Sequence, residues 1–242
     1  MSIIYINPYR FAAAGPTDPN FANVSLLLHG DGANGSTTII DSSPSPKTVT
    51  AVGNAQISTA QSKFGGASMY FDGSGDYLTA SSNASYAFGT GDFTIEAWLY
   101  IANYGGGYLD FGGCIFDTRG INQANWGNGL LFCLTTNGSL RIFSSTTIGT
   151  STSQISLNTW THVALARSAG SATFYIGGQS AGTSSFSNNL SEQDMTIGAA
   201  IDLRAQNTTL KYNGYIDDFR ITKGVARYTS NFTPPTAPFP DA

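Results

Sequence analysis

Two adjacent carboxylates, Asp217 and Asp218, stand inside YNGYIDDFRITKGVARYTSNFTPP (212–235), a stretch that otherwise alternates like a strand. A charged side chain facing a core is costly unless a partner satisfies it. On a regular strand the two point to opposite faces. Asp218 is then expected to meet Arg220, two residues on. Asp217 shares its face with Tyr215, Phe219 and Ile221 and needs a different partner. Hydrolysis of a glycosidic bond needs two carboxyl groups, about 5–5.5 Å apart in retaining enzymes and roughly 6.5–9.5 Å in inverting ones. The only glutamates, Glu96 and Glu192, are far apart in sequence, and no aspartate constellation of that kind is visible. GQSAG (178–182) matches the serine-nucleophile pattern, yet that elbow needs a helix behind it and TSSFSNNLS has no helical period. With His29 and His162 alone available, a general base is scarce. These residues read as a protein that is not an enzyme.

Other candidate chemistry is thinner. In FDGSGDYL, Asp72 and Asp76 are spaced as in a cation loop, but the terminal glutamate of an EF-hand is missing, so a polar hairpin turn between Tyr70-Phe71 and Tyr77-Leu78 is expected. Cys114 and Cys133 each lie in a strand-like run; they read as buried free thiols or as a cross-strand disulfide. Two cysteines without clustered histidines do not make a zinc site.

The elements that must position these residues are strands. Only 11% of the 242 residues are charged, against a usual quarter. Helix formers are scarce while β-branched and aromatic residues are plentiful. In DFTIEAWLYIA (92–102), Phe93, Ile95, Ala97, Leu99 and Ile101 share one face and Thr94, Glu96, Trp98 and Tyr100 the other. TWTHVALARS (159–168) and FYIGG (174–178) are close enough to pair as a hairpin. Trp98 and Trp160 are expected to pack in the core, with His162 a hydrogen-bonded core residue. Short strands separated by Gly and Asn turns predict a sandwich or barrel. Residues 1–22, with three prolines and an alanine run, read as an extended arm that docks onto something.

LLLHGDG, FGGASMYFDGSGDYLT, GTGDFTIEAWLY, NTWTHVALARSAGSATFYIGG and the C-terminal run, in that order, resemble the concanavalin A-like lectin/glucanase superfamily in its laminin-G-like form. The resemblance covers about Val24 to Pro240. It implies an all-β, two-sheet antiparallel jelly-roll sandwich over 23–242, preceded by the N-terminal arm at 1–22. It also implies a structural Ca2+ near the sandwich edge, with Asp217 on the final-strand carboxylate of that pattern and Asp31 of HGDG in the N-terminal loop; the alternative is that Asp217 and Asp218 cap turns or accept backbone hydrogen bonds. Six to eight oxygens around calcium would then include backbone carbonyls. Retaining glycosidases of the superfamily carry two glutamates on one strand; SEQDMTI begins that way but has Ile197 at the second position. Arg227-Tyr228 and Phe232-Thr-Pro-Pro235 are similar to versions in bacteriophage structural proteins. That likeness implies a decoration protein on the virion surface, in capsid, tail or fibre, held to other virion proteins through residues 1–22.

The most irregular segment, ANYGGGYLDFGGCIFDTRGINQANWGN (102–128), sets Tyr104, Tyr108, Arg119 and Trp126 among glycines and asparagines. Aromatic rings beside amide hydrogen bonders suit sugars, so these four are the expected glycan-binding residues; the alternative is a loop folded over one edge with Trp126 plugging the core. A carbohydrate-binding module and, behind it, a glycoside hydrolase are the competing functions. A net charge of −4 without a basic cluster speaks against nucleic acid. No apolar run approaches bilayer-spanning length. Sandwich edges and an exchanged arm predict a homo-oligomer.

Overall fold

The computed structural model describes residues 17–106, 110–119, 128–202 and 207–242. Eighteen strands make up nearly all its regular structure. One eight-stranded antiparallel sheet contains β1 (Val24–Leu28), β4 (Gln56–Ser58), β5 (Ser68–Asp72), β7 (Phe93–Asn103), β12 (Thr161–Ser168), β13 (Ser171–Ile176), β14 (Gln179–Ser185) and β18 (Asn213–Lys223). Its order is β14-β13-β12-β7-β18-β5-β4, with β1 also paired to β18. The second sheet runs β11-β10-β9-β8-β15-β6-β3-β2. Its members are β2 (Thr38–Ile39), β3 (Val49–Val52), β6 (Tyr77–Ala80), β8 (Phe111–Asp117), β9 (Leu131–Thr135), β10 (Ser139–Phe143), β11 (Thr147–Gln154) and β15 (Met195–Ile197). A small ribbon of β16 (Ala200–Asp202) and β17 (Asn207–Thr209) completes the set.

The core lies between the two sheets and follows the strand period of two. Phe93, Ile95, Ala97, Leu99 and Ile101 of β7 are buried there with Val163, Leu165 and Phe174, against Phe116, Phe132, Leu134, Leu140 and Ile142 of the opposite sheet. The outward set, Thr94, Glu96, Trp98 and Tyr100, faces away from it, as the alternation requires. β12 and β13 pair from Val163↔Ile176 to Ser168↔Ser171. Their two-residue turn places Ala169 and Gly170 at φ 48° and 76°, the doubly left-handed backbone that suits the strand twist.

FDGSGDYL is not a hairpin. β5 belongs to one sheet and β6 to the other, so the stretch crosses the edge of the sandwich. Asp76, buried at the crossover, accepts the backbone N–H groups of Asn54 (2.6 Å) and Asp72 (2.8 Å), which fixes the bend. Ser180 of GQSAG lies on strand β14, and no helix follows it. Cys114 and Cys133 are register partners on β8 and β9, buried and free.

The end of the expected arm belongs to the sandwich. Asp18 is buried, and its backbone N–H bonds the Ala242 carbonyl at 2.8 Å. Residues 1–16 lie outside the described residues.

Candidate functional site

The outer face of the first sheet carries the molecule's chemistry, and strand register sorts it into rows that cross the strands. β18 is interrupted at the aspartate pair. Between Asp217 and Arg220 its pairing with β7 slips by one residue, a β-bulge, and Asp218 takes a left-handed φ of 52°. On the far side of β18, β5 pairs with residues 213–216 and β1 with 219–222 plus Val24 opposite Thr222. The carboxylates therefore sit where one neighbouring strand ends and another begins.

That bulge resets the alternation. Ile216, Phe219 and Ile221 reach the core, while Tyr215, Asp217 and Arg220 face outward. The expected facing of Asp217 with Phe219 and Ile221 does not form. Nor does the Asp218–Arg220 pair: Asp218 accepts the Phe239 N–H (2.8 Å) and meets His29 Nδ1 (2.6 Å). Asp217 accepts the backbone N–H groups of Lys63 (2.6 Å) and Phe64 (3.1 Å).

Asp31 approaches the same loop. Its carboxylate lies so close to Gly65 that an added Cβ would stand 1.7 Å from Oδ1. Burial pushes the Asp217 carboxyl up; the Phe64 and Lys63 bonds oppose this, and the charges of Asp218 and Asp31 add to it, leaving it at about 7. Crowded carboxylates of this kind suit a hard cation. The fit is partial: among the described residues no group of three His, Cys, Asp or Glu side chains converges on one point, so a calcium ion here would draw the rest of its shell from loop carbonyls and water. His29 Nε2 also meets Asp241 (2.7 Å). Burial would lower its pKa, but the Asp218 and Asp241 bonds raise it to about 9.

The next row outward from Asp217 is Asp217–Trp98–His162, and beyond it lies Arg220–Glu96–Ala164. Both are covered. Lys63 Nζ sits 3.9 Å from the Trp98 ring centroid and Phe64 packs edge-on to it. Residues 225–242, which contain no strand, close over the rest: Tyr228 stacks on Phe232 at 3.6 Å, and Phe239 lies 3.6 Å from the Arg220 guanidinium. Under this cover Glu96 is 1% exposed. Arg220 donates to its Oε1 through Nε (3.0 Å) and Nη2 (2.8 Å), and the Tyr228 hydroxyl donates to Oε2 (2.6 Å). Burial would raise the Glu96 carboxyl; Arg220, then His162 and Tyr228, outweigh it and hold it at about 2. Asp18 bridges Arg220 (3.1 Å) and Arg227, and these bonds keep its carboxyl below the usual range against the opposing effect of burial. His162 Nε2 stands 3.3 Å from Glu96 Oε2 without an aligned hydrogen bond, so the expected hydrogen-bonded histidine is an electrostatic contact.

Among the described residues the next row is not sealed. Tyr70 of β5 faces Tyr215 of β18, which faces Tyr100 of β7, and Trp160 follows just ahead of β12. Successive ring centroids are 4.9, 5.8 and 5.7 Å apart. All four are half-buried. Trp98 is buried as expected, on the outer face beneath the loop, whereas Trp160, also expected in the core, is only half-buried.

The expected ligand residues are not gathered in this way. The Tyr104 hydroxyl donates to the Ile155 carbonyl (2.5 Å), and its own carbonyl accepts the Gly113 N–H near the start of β8. Arg119, beyond the other end of β8, forks onto Asp117 at 2.9 and 2.8 Å and caps the Phe143 ring. Tyr108 and Trp126 lie outside the described residues. Sequence reasoning missed the aromatic row; the signal was an outward-parity aromatic on each of several strands, which only pairing aligns.

Residues 72–227 match the family described as the concanavalin A-like lectin/glucanases superfamily, in its laminin-G form. The chain belongs to this family. No curated protein sequence matches it. Its fold resembles domain 4 of AbnA, a GH43 extracellular arabinanase from Geobacillus stearothermophilus, solved in complex with arabinotriose (TM-score 0.59, 16% identity, 84% of this chain and 93% of that one). It also resembles the binding domain of botulinum neurotoxin DC, solved with rat synaptotagmin II (TM-score 0.58, 16% identity, 85% of this chain and 49% of that one), and that of serotype G (TM-score 0.56, 16% identity, 84% and 48%). The chain spans about half of each toxin domain. Identities this low establish a shared lectin-like sandwich and nothing finer.

Proposed function

We propose that this sandwich is a non-catalytic glycan-binding module that adheres through the outer face of its first sheet. The observation that carries the reading is the row Tyr70–Tyr215–Tyr100–Trp160, not sealed among the described residues and set beside a charged network that is sealed from solvent. Aromatic rings with hydroxyl and indole handles suit ligands that have both apolar faces and hydrogen-bonding groups. Asp217, in the row beside the rings, is buried and bonded to two loop amides, and Glu96, one row farther, is buried and ion-paired; neither is open to a substrate, which speaks against acid–base chemistry on this face. The AbnA domain, a carbohydrate complex on a similar sandwich, favours the same class of ligand.

Display on a virion is part of the proposal. The C-terminal run is similar to that of phage structural proteins, and the leader ahead of Asp18 would provide the attachment. A glycan array probed with the wild-type chain and with Tyr100→Ala/Trp160→Ala tests the binding half. Signal lost in the variant is expected; equal signal from both rejects the site. Deleting residues 1–16 should release the protein from its particle, and retention would reject the anchor.

A second reading concerns the sandwich edge. Asp31, Asp217 and the loop at 61–66 would hold a structural calcium ion, favoured by the approach of the Asp31 carboxylate to the same loop whose amides bond Asp217.

A further inference from the structure

The aromatic row has a direction, a length and a charge, and each narrows what it can hold. It runs across the strands, from β5 through β18 and β7 to the start of β12, at steps of 4.9, 5.8 and 5.7 Å. These steps repeat the spacing of hydrogen-bonded strands, about 4.8 Å. Four rings in line exceed the footprint of one sugar, and a pleated strand surface offers none of the enclosing, convergent polar groups that grip a single small molecule. Affinity on such a surface comes from contacts repeated along a chain. Gln56 pairs with Tyr70 and extends the row onto β4 with an amide.

No member of the row is charged. On the loop side the nearest ionic groups are engaged elsewhere: Lys63 Nζ lies on the Trp98 ring, and Asp217 accepts the two loop amides. On the other flank Asp72 of β5 follows Tyr70 on the same face and has Lys211 near it, so one charge of each sign stands there, on a chain of net charge −4. One flank of the row is walled by the loop carrying Lys63 and Phe64, which stands over the adjacent row at Trp98. A branch projecting to that side collides with it.

We propose that the row binds an unbranched, uncharged polysaccharide laid across the strands, in contact with several consecutive sugars, and not a terminal monosaccharide. This rests on the glycan-binding reading above and specifies the ligand of that same site.

The test uses the full chain. Affinity electrophoresis in gels containing mixed-linkage β-glucan, linear arabinan, hydroxyethyl cellulose or, as the anionic arm, polygalacturonate identifies the polymer. Calorimetry with its oligosaccharides of one to six units follows. Affinity should climb with each unit to about four and then level off, polygalacturonate should not retard the protein, and Tyr215→Ala, Tyr100→Ala and Trp160→Ala should each weaken binding by about two- to tenfold. Tyr215→Phe, which keeps the ring, should stay nearer to wild type than Tyr215→Ala, and circular dichroism confirms that each variant is folded. A monosaccharide bound as tightly as the tetramer, preference for the anionic polymer, or binding indifferent to all three alanine variants overturns the inference while leaving glycan binding intact. A folded wild-type chain that binds none of the polymers overturns the glycan reading and the inference together.

Discussion

Replacing Glu96 by Gln keeps the shape of the buried network and removes one charge. Arg220 then loses the acceptor held at 3.0 and 2.8 Å, and Tyr228 loses a charged partner. Removing one member of a buried pair costs about 3–5 kcal/mol, because the other is left without compensation. Here Asp18 stays 3.1 Å from Arg220 Nη1, which places the loss near the lower end, about 3 kcal/mol. Titration gives the same size: a carboxyl moved from 4.5 to about 2 contributes roughly 3 kcal/mol at neutral pH. A folded pKa below the unfolded one means that this stability is present above pH 4.5 and lost as pH falls toward 2. Urea unfolding followed by tryptophan fluorescence should therefore show a gap of about 3 kcal/mol between wild type and Glu96→Gln at pH 7, shrinking to about 1 kcal/mol at pH 3. In thermal melts that is a drop of about 6–12 °C for a chain of this size. Glu96→Leu combined with Arg220→Met, which removes both charges, should recover part of the loss. A Glu96→Gln chain within 0.5 kcal/mol of wild type at pH 7, or a gap that does not change with pH, would refute the reasoning.

Two further outcomes follow from the sandwich edge. His29 has a folded pKa of about 9, above its ordinary 6.5, so its contribution is complete below pH 6.5 and disappears as pH rises through 9. Wild type should lose about 1–2 kcal/mol over that window, less than the full shift implies because Asp241 is 65% exposed and screened; His29→Gln should flatten the slope. Asp217, raised to about 7, acts in the same sense at lower pH, since its folded form resists ionisation and stability falls as pH rises from 3.8 through 7. At pH 8 in chelator, Asp217→Asn should melt higher than wild type; excess calcium should raise wild type alone, and a calcium response equal in both would dismiss the ion.

The sandwich was legible because its long strands obey a strict period. β7 announces its inner face at every second residue, and the Ala-Gly link between β12 and β13 fits only a tight turn. What escaped the sequence was set by single residues whose effect is not local. Asp218 in a left-handed conformation shifts the phase of everything after it in β18, so Asp217 and Arg220 share the outer face and Asp218 turns to His29. Nothing in FDGSGDYL distinguishes a turn within one sheet from a crossing between two; the buried Asp76 decides it by reaching Asn54, 22 residues back. Residues 225–242 look like a trailing coil, yet they turn a charged sheet face into an interior. The row of rings stayed hidden because its members lie on separate strands, and cross-strand alignment is a property of register, which no one strand encodes.

The double fastening of Asp18 bears on how the protein carries force. Tension on the backbone ahead of residue 17 first meets the ion pairs to Arg220 and Arg227, then the bond to Ala242, and only afterwards β1. That strand is hydrogen-bonded antiparallel to β18, the central strand that also joins β5 and β7. A pull along β1 therefore loads its ladder in shear, all rungs together instead of one by one as in peeling. The segment from Asp18 to β1 thus enters the sandwich beside its central strand, the one that carries Tyr215 of the row of rings.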